Sequence, residues 1–191
     1  MATANDDNKP DSEQKESKYK PLKTGYFKLD LQNGWLDFIS RYDFDLYATF
    51  TFRDEIKPWK AEKRFQKWLG SLNCTLFGWR YSRKGLGIRY AVAYEYQKRG
   101  TLHFHALLGA KGLKELDKEY MDKLWKCNGQ RDKKGILVNR IINGRALIDN
   151  YDPTRRAKQY LTKCIFKGGE IDIYVPRKDE RASACSIETA E

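Results

Sequence analysis

Histidine is the scarcest chemically informative residue in this chain, with only two among 191 residues. The sequence also lacks any Cys-x-x-Cys pair, because its four cysteines are scattered at Cys74, Cys127, Cys164 and Cys185. This scatter argues against a zinc ribbon or a disulfide framework. Reduced thiols in an intracellular protein are the simpler interpretation.

Long apolar segments are missing as well. No stretch approaches the roughly 20 apolar residues that are needed to span a bilayer. The first residues carry no hydrophobic core of the kind found in signal peptides. We therefore expect a soluble protein with no membrane partner, located in the cytoplasm of its host cell.

Acidic residues are outnumbered by basic ones. The chain has 37 Lys and Arg against 26 Asp and Glu, which gives a formal net charge of +11. Such an excess predicts a polyanionic partner, most simply nucleic acid. The length and the 40% apolar fraction predict one domain with a substantial core. We expect a disordered polar tail at 1–20, a folded domain at 21–176 and a flexible tail at 177–191.

Hydrophobic periodicity predicts an α+β fold. Strands are expected at 45–52, 88–97, 102–108, 135–143 and 171–175, and helices at 57–72, 113–126 and 153–166. Asp54 and Asp152 are predicted caps of the first and last of these helices. Residues 21–44 are expected to be irregular, with a short strand or helix around 35–39. The order predicts a central, mostly antiparallel sheet with helices packed on it.

The two histidines alternate along the predicted strand 102–108. Side chains two positions apart on a strand share a face, so His103 and His105 should project together while Phe104 points to the core. Glu95 lies on the preceding strand of the predicted hairpin and could face this pair. Two imidazoles and a carboxylate suit Mn²⁺ or Mg²⁺ with a phosphate, and could also bind Zn²⁺.

The predicted helix 153–166 carries a tyrosine among basic residues. Tyr160 and Lys163 are three residues apart and therefore share a helix face. The other basic residues of this segment are Arg155, Arg156, Lys158 and Lys167. A basic surface around an exposed phenol suits a tyrosine that attacks phosphate while the cations bind the DNA backbone.

Each of these features has a simpler explanation on its own. A His-x-His pair is often structural, and Glu95 could be a solvated strand residue. Tyr160 is one of 12 tyrosines and could serve packing, while a basic helix face is usually only solvated. Their joint occurrence in a basic chain is much more specific than any one of them.

In this order along the chain, the features resemble the motifs of the HUH endonuclease superfamily. Within it, the chain looks like the rolling-circle replication initiators (Rep proteins) of plasmids and single-stranded DNA viruses. Residues 48–53 (ATFTFR) resemble the first motif, 100–105 (GTLHFH) the His-hydrophobic-His motif, and 160–163 (YLTK) the YxxK motif. The resemblance covers roughly 45–175 and implies a ferredoxin-like HUH nuclease domain.

The departures from the superfamily pattern narrow the resemblance. Where two-tyrosine members carry a second tyrosine, this chain has Arg156 and Cys164, so it resembles a single-tyrosine enzyme. It lacks the GxxxxGK motif of the helicase domain found in some viral members. It also lacks the third histidine that relaxases usually use.

The resemblance implies a metal-dependent nicking and joining enzyme. His103, His105 and Glu95 would bind the metal, and Tyr160 would attack single-stranded DNA at a replication origin to give a 5′-phosphotyrosyl enzyme and a free 3′-OH. Lys163 would steady the phosphate, and host replication machinery would be a further partner. The alternatives are an HUH transposase or relaxase, a non-catalytic nucleic-acid-binding module, and a structural zinc protein that uses the histidines with cysteines.

Overall fold

The structure, a computed structural model, describes residues 25–97, 100–131, 137–142, 144–164 and 169–178. Both predicted tails lie outside these residues, apart from positions 177 and 178. The described residues confirm the α+β class: a five-stranded antiparallel sheet has helices packed on both faces. No helix in the described part of the chain is both long enough and apolar enough to cross a membrane.

The elements of the described part follow one another along the chain as helices, strands and two single 3-10 turns. The helices are α1 (Gly25–Ser40), α2 (Pro58–Phe77), α3 (Lys118–Lys126) and α4 (Ala157–Lys163). The strands are β1 (Leu46–Thr51), β2 (Arg89–Tyr96), β3 (Leu102–Gly109), β4 (Cys127–Arg131), β5 (Leu137–Ile142), β6 (Ala146–Asn150) and β7 (Glu170–Tyr174). The 3-10 helices are Ser82–Lys84 and Pro153–Arg155.

The central sheet has the strand order β6-β1-β3-β2-β7, and every neighbouring pair is antiparallel. The series β1-α2-β2-β3-α3-β6 has the β-α-β-β-α-β order of a ferredoxin-like unit. The β4–β5 hairpin is inserted before β6, and β7 extends the sheet beside β2. Helix α4 stands in the chain between β6 and β7, so it links the two opposite edges of the sheet.

One face of the sheet is covered by α2 and α3 around an aromatic core. Phe50 and Phe104 are fully buried there. The ring centroid of Phe50 lies 4.7 Å from that of Trp68 and 4.8 Å from that of Trp125. The indole N–H of Trp68 donates to the Met121 carbonyl at 2.9 Å, which ties α2 to α3. Burying each such aromatic side chain stabilises the fold by about 1.5–3 kcal/mol.

The opposite face is covered by α1 and α4 and is the face to which the histidines point. Leu107 and Leu161 are fully buried between the sheet and α4. The small side chain of Ala93, 1% exposed, lets the helix approach β2 closely. Gln32 on α1 donates to the hydroxyl of Thr162 on α4 at 3.2 Å. These contacts fix α4 above the middle of the sheet.

Most of the predicted elements are confirmed. The predicted strands 45–52, 88–97, 102–108 and 171–175 correspond to β1, β2, β3 and β7, and the helix 57–72 corresponds to α2. Helix α2 runs five residues further than predicted and ends at Gly78, which has a φ of 81°. The predicted strand 135–143 is present as β5, but it pairs with β4 in a separate two-stranded sheet.

Three elements were not predicted. Helix α1 occupies a segment that was expected to be irregular, because its Asn33-Gly34 pair lowers helix propensity and hides the pattern. Strands β4 and β6 are only five residues long, and they contain Asn, Gly and Asp, which are depleted in strands. Such short segments carry too few residues for a periodic signal.

The predicted helix 153–166 is interrupted near its start. The Asp152 carboxylate caps it as expected, since it accepts from the Thr154 backbone N–H at 2.9 Å. After one 3-10 turn, however, Arg156 takes a left-handed conformation with a φ of 54°. Helix α4 begins only at Ala157. Arg155 and Arg156 therefore precede the tyrosine helix and do not lie on it.

Two other helix starts differ from the prediction. The predicted helix 113–126 begins only at Lys118, where the Asp117 carboxylate accepts from the Glu119 backbone N–H at 2.9 Å. The predicted cap Asp54 is wrong, because Lys57 is the residue that precedes α2 and no side chain caps it. Pro58 in the first turn needs no N–H partner, so this end tolerates the missing cap.

Candidate active site

Two histidines and a glutamate meet on the sheet face that α4 covers. Strands β2 and β3 pair so that Glu95 lies directly opposite His103. The Nε2 atom of His103 is 3.6 Å from a carboxylate oxygen of Glu95, and that of His105 is 3.9 Å from the same oxygen. The three side chains are only 10–12% exposed. The hairpin thus brings the three predicted ligands together.

The cluster has the donor chemistry of a divalent metal site. One ligand atom from each of Glu95, His103 and His105 lies within 4.8 Å of the others. Imidazole nitrogens and a carboxylate oxygen suit a divalent cation, and three protein donors leave room for a substrate oxygen. In the described residues, no cysteine belongs to this group. The cluster therefore fits an exchangeable metal better than a cysteine-rich structural zinc site.

The ring of His105 is held from β1 by two hydroxyl groups. The Tyr47 hydroxyl lies 2.8 Å from Nδ1 of His105, and the Thr49 hydroxyl lies 3.1 Å from the same atom. If Nε2 of His105 binds a metal, Nδ1 carries the ring proton and donates it to one of these oxygens. Burial raises the pKa of Tyr47 above its usual value, and Tyr160 and Glu95 raise it further. The Tyr47 hydroxyl therefore stays protonated at neutral pH.

Sequence analysis did not single out Tyr47 and Thr49. A signal for them was present, because Tyr47, Thr49 and Thr51 alternate on β1 with the buried Ala48 and Phe50. Polar side chains that share one face of a buried strand indicate a polar site on that face.

Tyr160 stands directly beside the cluster. Its ring meets the ring of His105 edge to face, with centroids 4.8 Å apart and planes at 82°. The side chain is 43% exposed, so one part touches the cluster and another reaches solvent. Lys163, on the next turn of α4, is also exposed. A phenol in this position can approach a phosphate from solvent while remaining next to the metal-ligand residues.

The predicted DNA-binding cations fall into different environments. Arg155 and Arg156 are exposed in the turn before α4, and the Arg155 guanidinium lies 3.5 Å from the Asp152 carboxylate. Lys167 lies outside the described residues. The role of these residues in binding DNA stays a prediction.

Lys158 is oriented differently from the two arginines. Its ammonium donates to the Tyr42 carbonyl at 3.3 Å and lies 5.7 Å from the ring centroid of Phe44. Burial lowers the pKa of Lys158 from its usual value. This lysine therefore already binds α4 to the loop before β1, and its predicted DNA contact would compete with that packing.

The sequence also matches a known family. Residues 45–167, more than half of the chain, match the family model of the replication-associated protein ORF2. The chain belongs to this family. The matched segment begins at β1 and includes Glu95, both histidines and Tyr160. Membership in a replication-associated family supports a replication-initiator role, with DNA as the partner. Neither the curated proteins nor the solved structures gave a match.

Proposed function

We propose that this member of the replication-associated ORF2 family is an HUH-type initiator that nicks and joins single-stranded DNA at a replication origin. The observation that carries the proposal is the position of Tyr160, whose ring lies 4.8 Å from that of His105. A nucleophilic side chain and a metal-ligand cluster share one partly solvated face. The family supports DNA as the substrate.

The Glu95, His103 and His105 side chains would hold the metal, either Mn²⁺ or Mg²⁺. A bound divalent ion supplies Lewis-acid polarisation of a phosphate oxygen. The protein's own part is to orient these three donors, and the paired strands β2 and β3 do so without a flexible loop. Tyr47 and Thr49 add a fixed orientation for the His105 ring.

Tyr160 would act as the nucleophile. Its phenolic oxygen forms a bond to phosphorus as the bond between phosphorus and the 3′ oxygen breaks. The phenol gives up its proton, and the departing 3′ oxygen takes one up. The products are a 5′-phosphotyrosyl enzyme and a free 3′-OH. Attack by a 3′-OH on the phosphotyrosine reverses the step and joins DNA without ATP.

The basic residues around Tyr160 would position the DNA strand. Lys163 is proposed to stabilise charge on the transferring phosphate. Arg155, Arg156, Lys158 and Lys167 are proposed to bind the flanking backbone. An HUH transposase or relaxase would use the same chemistry, but a replication-associated family favours the initiator.

Replacing Tyr160 by phenylalanine tests the nucleophile. We expect wild-type protein, Mn²⁺ and a diverse pool of labelled single-stranded DNA to give a covalent protein–DNA band on a denaturing gel. EDTA or Tyr160→Phe should abolish this band, because each removes one essential component. DNA binding by Tyr160→Phe should remain within about threefold of wild type, since only one oxygen is lost.

Tyr120→Phe is the matched control, because Tyr120 is similarly exposed but lies on α3, on the other face of the sheet. This variant should form the covalent band at the wild-type level. A band of undiminished intensity with Tyr160→Phe would assign the nucleophile to another residue. Bound DNA without any covalent band, for every protein, would favour the non-catalytic binding module.

A further inference from the structure

A basic groove lies at the end of the sheet away from the β2–β3 turn. It is formed by the 3-10 helix Ser82–Lys84 and by the residues that follow β7. The backbone N–H of Lys178 donates to the Gly85 carbonyl at 3.0 Å, which joins the two segments. Gly85 has a φ of 73°, and a side chain there would contact Lys178 and Arg177. The groove is therefore a product of the fold and not of one flexible segment.

Four cationic side chains converge on this groove, which has a volume of about 620 Å³. They are Arg83, Lys84, Arg177 and Lys178. Among the described residues that line the groove, none is acidic. The next two residues in the sequence, Asp179 and Glu180, are acidic and lie outside the described part. Bringing four positive charges together costs free energy unless an anion binds between them.

Aromatic side chains stand at the same end of the sheet. Tyr174 lines the groove, is 42% exposed, and stacks on Tyr90 with ring centroids 5.6 Å apart. Trp79, in the turn before the 3-10 helix, is 76% exposed and carries the Arg80 guanidinium 4.8 Å from its ring centroid. Exposed aromatic rings among cations are typical of surfaces that bind nucleic acid, where bases stack and phosphates pair.

The groove is separate from the candidate active site. Tyr174 pairs with Tyr90 near the start of β2, and Glu95 lies five residues further along this strand. At about 3.4 Å per residue, the two positions are roughly 17 Å apart. The residues of the Glu95 cluster and of α4 therefore cannot account for the charge of the groove.

A larger neighbouring cavity, of about 760 Å³, shares Lys178 with the groove. It is lined by Asp45 and Glu115 as well as by lysines, and Lys114 lies 3.6 Å from the Asp45 carboxylate. Acidic side chains in this cavity oppose a phosphate. The groove is the part of this surface that favours a polyanion.

We propose that the groove is a second DNA-binding site, which holds the phosphate backbone of origin DNA away from the site of cleavage. The identification of the polyanion as DNA rests on the proposed function. Contacts here would fix the register of the DNA on the protein, while Tyr160 acts on a phosphate at the other end of the sheet. Single strands and duplexes present the same phosphate chemistry, and the experiment distinguishes them.

The experiment measures DNA affinity as a function of salt, with EDTA present and in the Tyr160→Phe background, so that catalysis is not required. The groove variant is Arg177→Ala with Lys178→Ala, and the matched control is Lys63→Ala with Lys67→Ala, two exposed lysines of α2. A labelled single strand and a labelled duplex of equal length are titrated separately. Thermal unfolding of each variant checks that the protein is folded.

We expect the groove variant to lose about tenfold in affinity near physiological salt. The slope of log K against log salt should fall by roughly 1.4 for a single strand or 1.8 for a duplex, at 0.7 or 0.9 per phosphate contact. The control should change neither quantity by a comparable amount. Weakening in either arm supports the proposal and identifies the DNA form, whereas equal weakening in groove and control variants, or no weakening in both arms, overturns it.

Lysine acetylation followed by mass spectrometry gives a second measurement on the unmutated groove. Bound DNA should protect Lys84 and Lys178 but leave Lys63 and Lys67 reactive. Equal reactivity of all four lysines with and without DNA would overturn the proposal. Covalent nicking with no groove effect would reject the groove alone, and a groove effect without nicking would reject the chemistry at Tyr160 alone.

Discussion

His105 contacts three different elements of the fold. Its Nδ1 faces Tyr47 and Thr49 on β1, its Nε2 faces Glu95 on β2, and its ring edge meets Tyr160 on α4. The contact with Glu95 was predictable because the β2–β3 hairpin is local in sequence. The contacts with β1 were not, since they join residues 58 and 56 positions apart and depend on a strand register that no local pattern specifies.

The two hydroxyl groups on Nδ1 allow a test of how His105 is positioned. We expect the double variant Tyr47→Phe with Thr49→Val to bind Mn²⁺ about 10- to 100-fold more weakly, which is the usual range for losing a partner of a metal-bound histidine. Each single variant should lose less, because the other oxygen can still accept from Nδ1. Calorimetric titration of the protein with Mn²⁺, without DNA, measures this directly.

Tyr151→Phe is a suitable control, because Tyr151 is partly buried on the same face and packs against Phe44. Its Mn²⁺ affinity should equal that of wild type. If the double variant binds Mn²⁺ as tightly as this control does, Tyr47 and Thr49 do not orient His105.

Helix α1 shows how tertiary contacts decide an element that its own sequence does not. Its interior contains Gly34, which disfavours a helix. Its stability therefore comes from packing on α4, through the buried Ile39 and the hydrogen bond from Gln32 to Thr162. Periodicity found α2, which has a regular buried face, and missed α1, whose partner lies more than a hundred residues later.

A pair of glycine substitutions tests this view of the helices. A side chain at Gly34 or at Gly78 would meet no atom within 4 Å, so the two differ chiefly in backbone conformation. Gly34→Ala should stabilise the protein by about 0.5–1 kcal/mol. Gly78→Ala should destabilise it by about 1–3 kcal/mol, because its φ of 81° and ψ of 167° suit glycine alone.

Urea unfolding of both variants, compared with wild type, gives the two free energies. The opposite signs are the diagnostic result. A loss of stability in Gly34→Ala would show that Gly34 does not sit in a regular, solvated helix.

At the scale of the whole molecule, the α+β class and the alternation of buried residues were readable from the sequence, but the edges of the sheet were not. The central strands β1, β2 and β3 carry long apolar patterns with clear turns between them. Strand β6 is short and half exposed, and its role becomes evident only from its pairing with β1. The position of α4 between two such edges could not be derived before both edges were known.

The buried tyrosines of β2 make the stability of the whole fold depend on pH at the alkaline end. Burial, aided by Asp172, raises the pKa of Tyr90 to about 12, and burial also raises the pKa of Tyr94. In the unfolded chain these phenols ionise near pH 10. Between about pH 10 and 12 the unfolded state thus binds fewer protons than the folded state, so stability falls as the pH rises through this range.

Urea unfolding from about pH 8 to 11 should show this loss, with little change below about pH 9.5. Tyr90→Phe should make the decline shallower, because it removes one of the responsible phenols. The exposed Tyr120→Phe should leave the decline unchanged. An identical decline in wild type and Tyr90→Phe would exclude Tyr90 as its source.

The course of α4 from one edge of the sheet to the other also has a mechanical consequence. A DNA strand joined covalently to Tyr160 would transmit any tension from a moving replication fork into this helix. Because β6 precedes α4 and β7 follows it, the load would divide between hydrogen-bonded strands on opposite edges. Pulling the helix away would require two separate strand pairs to give way, so the fold is braced against the force that its own covalent product would exert.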